Sequence, residues 1–342
     1  MKNIRTELSS NTRKRRREGP DRLSNHTIMD LHSRDGSKTR KSGISPESLL
    51  KSLARISMSE KLTKVNFTNL SKVLYPDGNI TKAQVIEYYI RIAPKMLGLL
   101  SKRPLSLTRF PDGVDKEGFY EKDVPMGTPS WVETFKRYSE TAQREINYIV
   151  CNDLDTLLWL ANLAALEIHM TLSEIDSFEN PDLALIDIDP EPPLGYDEVV
   201  EVALLLEEEL EMLGLRSYVK TSGKKGLHVV IPIVEGYTFR QTREFVHEIG
   251  KRLANKSSIV VAELSRSRDP GTIFIDYTQN SHGRTMICPY SLRATPKATL
   301  SMPLEWGDIK KGLNPEEFNL VNARGIRSDP WKDLLHDKQK LR

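Results

Sequence analysis

Three aspartates are the residues best suited to chemistry in this chain. Asp187 and Asp189 close the apolar run Leu183-Ala-Leu-Ile-Asp187-Ile-Asp189-Pro190, and Asp276 closes a second run, Ile273-Phe-Ile-Asp276. Runs of that length and apolarity predict buried strands. Side chains alternate across a strand, so Asp187 and Asp189 share a face. Carboxylates held that close repel each other and resist burial unless a cation lies between them. Three strand-borne carboxylates suit one or two hard divalent ions, which favour oxygen ligands. Taken by itself, an Asp-x-Asp pair also fits a strand end meeting solvent, and the Pro-rich loop 190–195 agrees with that simpler reading.

A second segment points to phosphate. Thr221-Ser-Gly-Lys-Lys-Gly-Leu-His228 offers Gly223 and Gly226 for a tight turn and a close approach to a ligand. Ser222, Lys224, Lys225 and His228 place donors around that turn. Backbone N–H groups with a lysine make a phosphate cradle. The spacing is not that of a Walker loop and no helix clearly follows, which argues against a P-loop ATPase. A lysine-rich hairpin without a ligand has the same local pattern. Carboxylates for metals beside a cradle for phosphates indicate phosphoryl or nucleotidyl transfer.

The elements that must position these residues are partly legible. Thr81 is a natural N-cap for a helix over 82–100, with apolar spacing at Val85, Tyr88, Tyr89, Ile92 and Met96. Residues 153–170 read as one largely buried helix, because Leu157, Leu158, Leu160, Leu163, Leu166 and Ile168 leave little polar face. Further helices are expected at 196–213, ahead of Gly214, and from Thr238 to Ala254. Strands are expected within 103–114 and at 183–189, 216–220, 227–233, 259–264 and 272–277. Residues 42–60 could form a marginal amphipathic helix. Irregular alternation, with several strands separated only by turns, favours an α+β body with a mixed or antiparallel central sheet.

Composition excludes several classes. No apolar run is long enough to cross a membrane, so no membrane partner is expected. The polar, basic N-terminus lacks the apolar centre of a secretion signal. Cys151 and Cys288 have no metal-ligand spacing and read as reduced thiols. The net charge of +3 hides an asymmetry: residues 1–41 hold 12 Lys or Arg and 5 Asp or Glu, or +7, leaving 3 − 7 = −4 for the rest. Such a basic segment, centred on Arg13-Lys-Arg-Arg-Arg17, is expected to be disordered and to meet nucleic-acid phosphates without sequence preference.

Several motifs occur in order: Asn69-Leu-Ser-Lys72, Arg109-Phe-Pro-Asp-Gly, Phe119-Tyr-Glu-Lys122, Asp187-Ile-Asp189, the 221–228 turn, Phe274-Ile-Asp276-Tyr-Thr-Gln-Asn280 and Pro289-Tyr-Ser-Leu-Arg293. Together, over roughly 60–325, they resemble the polymerase domain of prokaryotic non-homologous end-joining ligases, a branch of the archaeo-eukaryotic primase superfamily. The resemblance implies a primase-type catalytic core with a smaller N-terminal subdomain. Its expected limits are 59–325, between a basic extension over 1–58 and a polar tail over 326–342. It implies nucleotide addition to DNA 3′ ends at gaps and breaks, a preference for ribonucleotides, and two manganese or magnesium ions on Asp187, Asp189 and Asp276. His169, Ser222, Lys225, His228, Arg268, Gln279 and Arg293 would then meet the nucleoside triphosphate. Asn69, Lys72 and Lys82 would hold a downstream 5′-phosphate, Lys82 with help from free N–H groups at the start of a helix. Arg109, Phe119, Tyr120 and Lys122 would contact the template, the aromatics by stacking. Implied partners are gapped and broken double-stranded DNA, a separate DNA ligase and a Ku-like end-binding protein, in a prokaryotic cytoplasm.

Rival readings differ in class. A glycosyltransferase also uses Asp-x-Asp with manganese, but needs neither a second metal-bearing strand nor a 5′-phosphate pocket. A primase making primers from scratch is the nearest enzymatic alternative, and the chain has no cysteine cluster of the kind many primases carry. A non-catalytic module that bridges DNA ends would not need three intact carboxylates.

Overall fold

The computed structural model describes residues 64–139, 142–265 and 268–341. The basic extension and the helix expected at 42–60 lie outside the described residues. Within them the architecture is α+β, with four α-helices, two six-stranded sheets and one short ribbon. The ribbon pairs β1 (Val73–Tyr75) with β2 (Ile80–Thr81), and helix α1 (Lys82–Leu100) follows directly. Next come β3 (Pro104–Arg109), β4 (Phe119–Glu121), β5 (Thr134–Ser139), β6 (Arg144–Val150), helix α2 (Leu154–Asn162) and β7 (Ala165–Thr171). A second sheet begins with β8 (Leu183–Pro190), helix α3 (Tyr196–Met212), β9 (Tyr218–Thr221) and β10 (Leu227–Pro232). Helix α4 (Phe239–Lys256), β11 (Val260–Val261) and β12 (Ile273–Asp276) continue it. Last, β13 (Thr285–Ile287) returns to the first sheet and β14 (Pro303–Leu304) joins the second.

The strand orders are β13-β7-β3-β6-β5, with β4 also on β3, and β11-β12-β8-β10-β9-β14. Among the paired strands named here only β11–β12 is parallel. The second sheet is centred on β8, whose Leu183, Ala184, Leu185, Ile186 and Ile188 are all at most 1% exposed. Helices α3 and α4 pack on β8. Burying that continuous apolar run is what fixes the strand, and it leaves Asp187 and Asp189 as the polar residues at its end.

Local chemistry explains the helix ends. Thr81 and Gln84 form a capping box on α1, with the Thr81 N–H donating to Gln84 Oε1 at 2.9 Å. Thr238 and Gln241 do the same for α4. Gly214, at φ 65°, ends α3 in the left-handed conformation that favours glycine.

Two expectations are corrected. Residues 153–170 are not one helix: α2 stops at Asn162, Ala164 takes φ 55°, and a strand runs from Ala165 to Thr171. A segment buried on every side shows neither a helical nor a strand period, and no glycine or proline marks the break. The polar tail expected at 326–342 is anchored to the body at several points, with Trp331 and Leu334 buried. Trp331 is 1% exposed and donates Nε1–H to Val219 O at 3.0 Å. Gln339 binds the Arg216 backbone twice, accepting its N–H at 2.9 Å and donating to its carbonyl at 2.6 Å.

Candidate active site

Strand register assembles the aspartates. Asp276 on β12 and His228 on β10 stand opposite Asp187 on either side of β8, and Asp189 lies two residues further along. Burial and then the charges of Asp189 and Asp276 push the Asp187 carboxyl up to about 7. His228 Nε2 lies 3.4 Å from Asp187 Oδ1. Asp189 is ion-paired with Lys225 at 3.5 Å and with Arg268, which also reaches Glu191 at 3.0 Å. Asp276 Oδ1 accepts from the Thr278 N–H at 2.9 Å, and its Oδ2 accepts from Gln279 Nε2 at 3.1 Å.

Among the described residues no three His, Cys, Asp or Glu side chains are gathered as a ready metal cage. Two of the aspartates face other partners, yet the donor set itself fits a hard cation. Its ligands are carboxylate oxygens on adjoining strands, and the raised Asp187 marks a place short of positive charge.

The turn at 222–226 abuts this site. The Ser222 N–H donates to Gly226 O at 2.9 Å, and Ser222 Oγ accepts from Gly226 N–H at 3.1 Å and Lys224 N–H at 3.3 Å. A Cβ on Gly226 would come within 2.3 Å of Ile188 O, on the strand carrying the aspartates. Gly223 has φ +73°, and a Cβ there would lie 2.5 Å from Arg293 Cγ and 2.8 Å from Leu300 O. Only glycine lets the turn seat this close. Lys225 Nζ donates to Pro190 O at 3.1 Å, and Arg293 donates to Ser222 O at 3.1 Å.

Sequence reasoning missed two buried groups here. Glu167, on β7, accepts from Arg293 Nε at 3.0 Å and from the Ala294 N–H at 3.1 Å, with Lys224 Nζ 3.4 Å away. Burial pushes its carboxyl up, but His169, Arg293 and Lys224 outweigh that and hold it well below the usual range. His169 Nε2 lies 3.4 Å from Glu167 Oε2, too poorly directed for a hydrogen bond, and burial lowers the imidazole's pKa. Reading 165–171 as a strand would have paired Glu167 with His169 on one face. The second is Lys220, fully buried on β9, which burial pushes down to about 7. Its signal was a lysine inside the strand Tyr218-Val-Lys-Thr.

A second cluster forms around the start of α1. The Lys72 N–H donates to Asn69 O at 2.9 Å, and the Lys82 N–H to Lys72 O at 2.8 Å, so all three expected residues are neighbours. Lys82 is 6% exposed and donates to Asn162 O at 2.8 Å; burial, then Lys72 and Arg109, lower its pKa. Lys72 pairs with Asp112 at 2.6 Å. The N–H groups expected to be free at this helix start are already bonded, Lys82 to Lys72 O and Ala83 to Leu70 O at 3.0 Å. Anion binding there must therefore rest on side chains.

Arg109 pairs with Glu121 at 3.0 Å and lies 5.0 Å over the Phe119 ring. Phe119 and Tyr120 are 42% and 53% exposed, which makes them surface platforms on β4 and not core. Lys122 Nζ donates to Gly283 O at 3.2 Å. Asn280 is buried and serves the fold, accepting the Leu185 N–H at 2.8 Å and donating to Leu185 O at 2.6 Å.

Known proteins resemble this chain in sequence and in fold. A family model described as the primase-polymerase domain of LigD matches residues 81–331. The bifunctional non-homologous end joining protein LigD of Bacillus subtilis (strain 168) is 33% identical over 294 residues, covering 81% of this chain and 47% of that protein. The multifunctional non-homologous end joining protein LigD of Mycolicibacterium smegmatis is 33% identical over 284 residues, covering 81% of this chain and 36% of that protein. The chain thus spans less than half the length of these relatives. Among solved structures, the polymerase domain from Mycobacterium tuberculosis ligase D in complex with DNA superposes with TM-score 0.74 and 29% identity, covering 81% of this chain and all of that one.

Proposed function

The chain belongs to the LigD primase-polymerase family, and from that premise we propose that it adds nucleotides to DNA 3′ ends during non-homologous end joining, filling gaps with a preference for ribonucleotides. The observation that carries this reading is the placement of Asp187 and Asp276 as register partners beside the 222–226 turn. Asp187, Asp189 and Asp276 would hold two divalent cations, manganese or magnesium. Such ions acidify a primer 3′-hydroxyl and neutralise a triphosphate.

The chain's own residues do the rest. Lys225 and Arg268, which balance Asp189 here, are the cations nearest the carboxylates and suit the triphosphate once Asp189 has another partner. Arg293, held by Glu167 and by Ser222 O, presents a fixed guanidinium at the same turn. His169 and Gln279 border the nucleotide. Lys72 and Lys82, with Asn69, take the 5′-phosphate beyond the gap, and Phe119 and Tyr120 stack on template bases. A DNA ligase activity and a Ku-like protein would complete repair on the chromosome, in the cytoplasm.

The test is extension of a labelled primer across a short gap, with ribonucleotides or deoxynucleotides and with or without a downstream 5′-phosphate. Extension favouring ribonucleotides and the phosphorylated gap supports the reading. Phosphate-dependent DNA binding with no extension under any of these conditions contradicts it and leaves an end-bridging module.

A further inference from the structure

Lys220 has no part in the roles above. It pairs in register with His228 across β9 and β10 and has no exposed surface. Its Nζ lies 3.0 Å from His228 Nδ1 and 2.7 Å from Ser301 Oγ. Ser301 donates its own hydrogen to Thr221 O at 3.0 Å, so it accepts from the lysine. Neither partner is a carboxylate. Burying an amine this way is costly, and an apolar side chain would fill the same space more cheaply.

We propose that Lys220 is a positioning residue for nucleotidyl transfer: its ammonium donates to His228 Nδ1 and so holds the imidazole in the tautomer with its proton on Nε2. In its ammonium form, which donates to Ser301 Oγ as well, Lys220 has donors only, and Nδ1 then accepts. Nε2 is the nitrogen 3.4 Å from Asp187 Oδ1. The fixed tautomer therefore presents a donor at the edge of the carboxylate site, where a triphosphate oxygen arrives. Without Lys220 both tautomers become accessible, and one of them turns a lone pair toward the phosphate. This inference rests on the nucleotidyl-transfer reading.

The experiment uses the full chain with 15N-labelled histidine, the His228 signals being assigned by their loss in His228→Ala. In the wild type Nδ1 should be unprotonated and Nε2 protonated, and Lys220→Met should show mixed tautomers. Its KM for a ribonucleoside triphosphate should rise about five- to tenfold, the worth of one hydrogen bond, with kcat less affected. In a His228→Ala background Lys220→Met should add no further loss. A proton on Nδ1 in the wild type overturns the proposal whether or not the variant folds. So does an unchanged KM in a folded Lys220→Met, or full additivity with His228→Ala. A wild type with the expected tautomer that binds no triphosphate overturns the parent reading instead.

Discussion

Asp276 stands directly across the β12–β8 pair from Asp187, while Lys225 and Arg268 neutralise Asp189 two residues further on. Asp187 meets only His228 at ion-pair distance, 3.4 Å away, and burial lowers that imidazole's pKa; Asp276 is held by the neutral donors Thr278 and Gln279. Burial and the charges of Asp189 and Asp276 outweigh the more distant pull of Lys220 and Arg268 on Asp187.

That balance sets a pH dependence. An unfolded aspartate titrates near about 3.9, whereas burial, Asp189 and Asp276 place Asp187 at about 7 in the fold. The folded state thus holds the extra proton between these values, and stability declines as pH rises through that window. Asp187→Asn removes the effect. Thermal unfolding of the metal-free proteins should show the variant gaining on the wild type from about pH 4 to about pH 7, by on the order of 4 kcal/mol. Millimolar manganese should close the gap by stabilising the wild type. A gap that stays constant across this range would contradict the account.

Gly226→Ala should damage fold and activity together. The new Cβ would meet Ile188 O at 2.3 Å, so β8 or the turn must move. A loss of roughly 1–3 kcal/mol in denaturant unfolding is expected. Primer extension should fall in the same variant, since β8 carries Asp187 and Asp189. Unchanged stability would mean the turn is looser than its packing indicates.

Lys72→Ala separates the proposed phosphate pocket from the carboxylate site. Lys72 is paired with the exposed Asp112, so its loss should cost little stability. The advantage of a 5′-phosphorylated gap over an unphosphorylated one should shrink by about tenfold, the worth of a charge-assisted hydrogen bond. Extension on the unphosphorylated gap should not change. Equal losses on both substrates would remove Lys72 from phosphate recognition.

Phe119→Ala and Tyr120→Ala should each weaken binding to templates with unpaired bases by roughly 1–3 kcal/mol. Both rings are exposed, so unfolding midpoints should hardly move. Titration of a fluorescent gapped DNA measures the first effect and calorimetry the second.

The sequence made strand β8 legible because an apolar run ended by charges has few other homes, and the register sets Asp276 opposite Asp187. Helix α1 was equally plain, since its cap and its apolar spacing agree. The segment 153–170 was not, because a helix and a strand abut at Ala164 without a polar face or a glycine to separate them. That misreading hid Glu167, whose partnership with His169 depends on a strand period. Lys220 was hidden for another reason: a lysine on a strand normally points to water, and only the packing of Ser301 and His228 around it reveals otherwise. The spent N–H groups at the start of α1 depend on the loop carbonyls of Leu70 and Lys72, which no local pattern records.

The most direct test of the central claim is single-turnover addition of one ribonucleotide to a labelled primer in manganese, wild type beside Asp187→Asn, both shown folded by circular dichroism. Metal-dependent addition by the wild type and a loss of at least roughly a hundredfold in the variant are expected, from several kcal/mol of charge stabilisation. Comparable rates in the two proteins would contradict the assignment of the chemistry to this site.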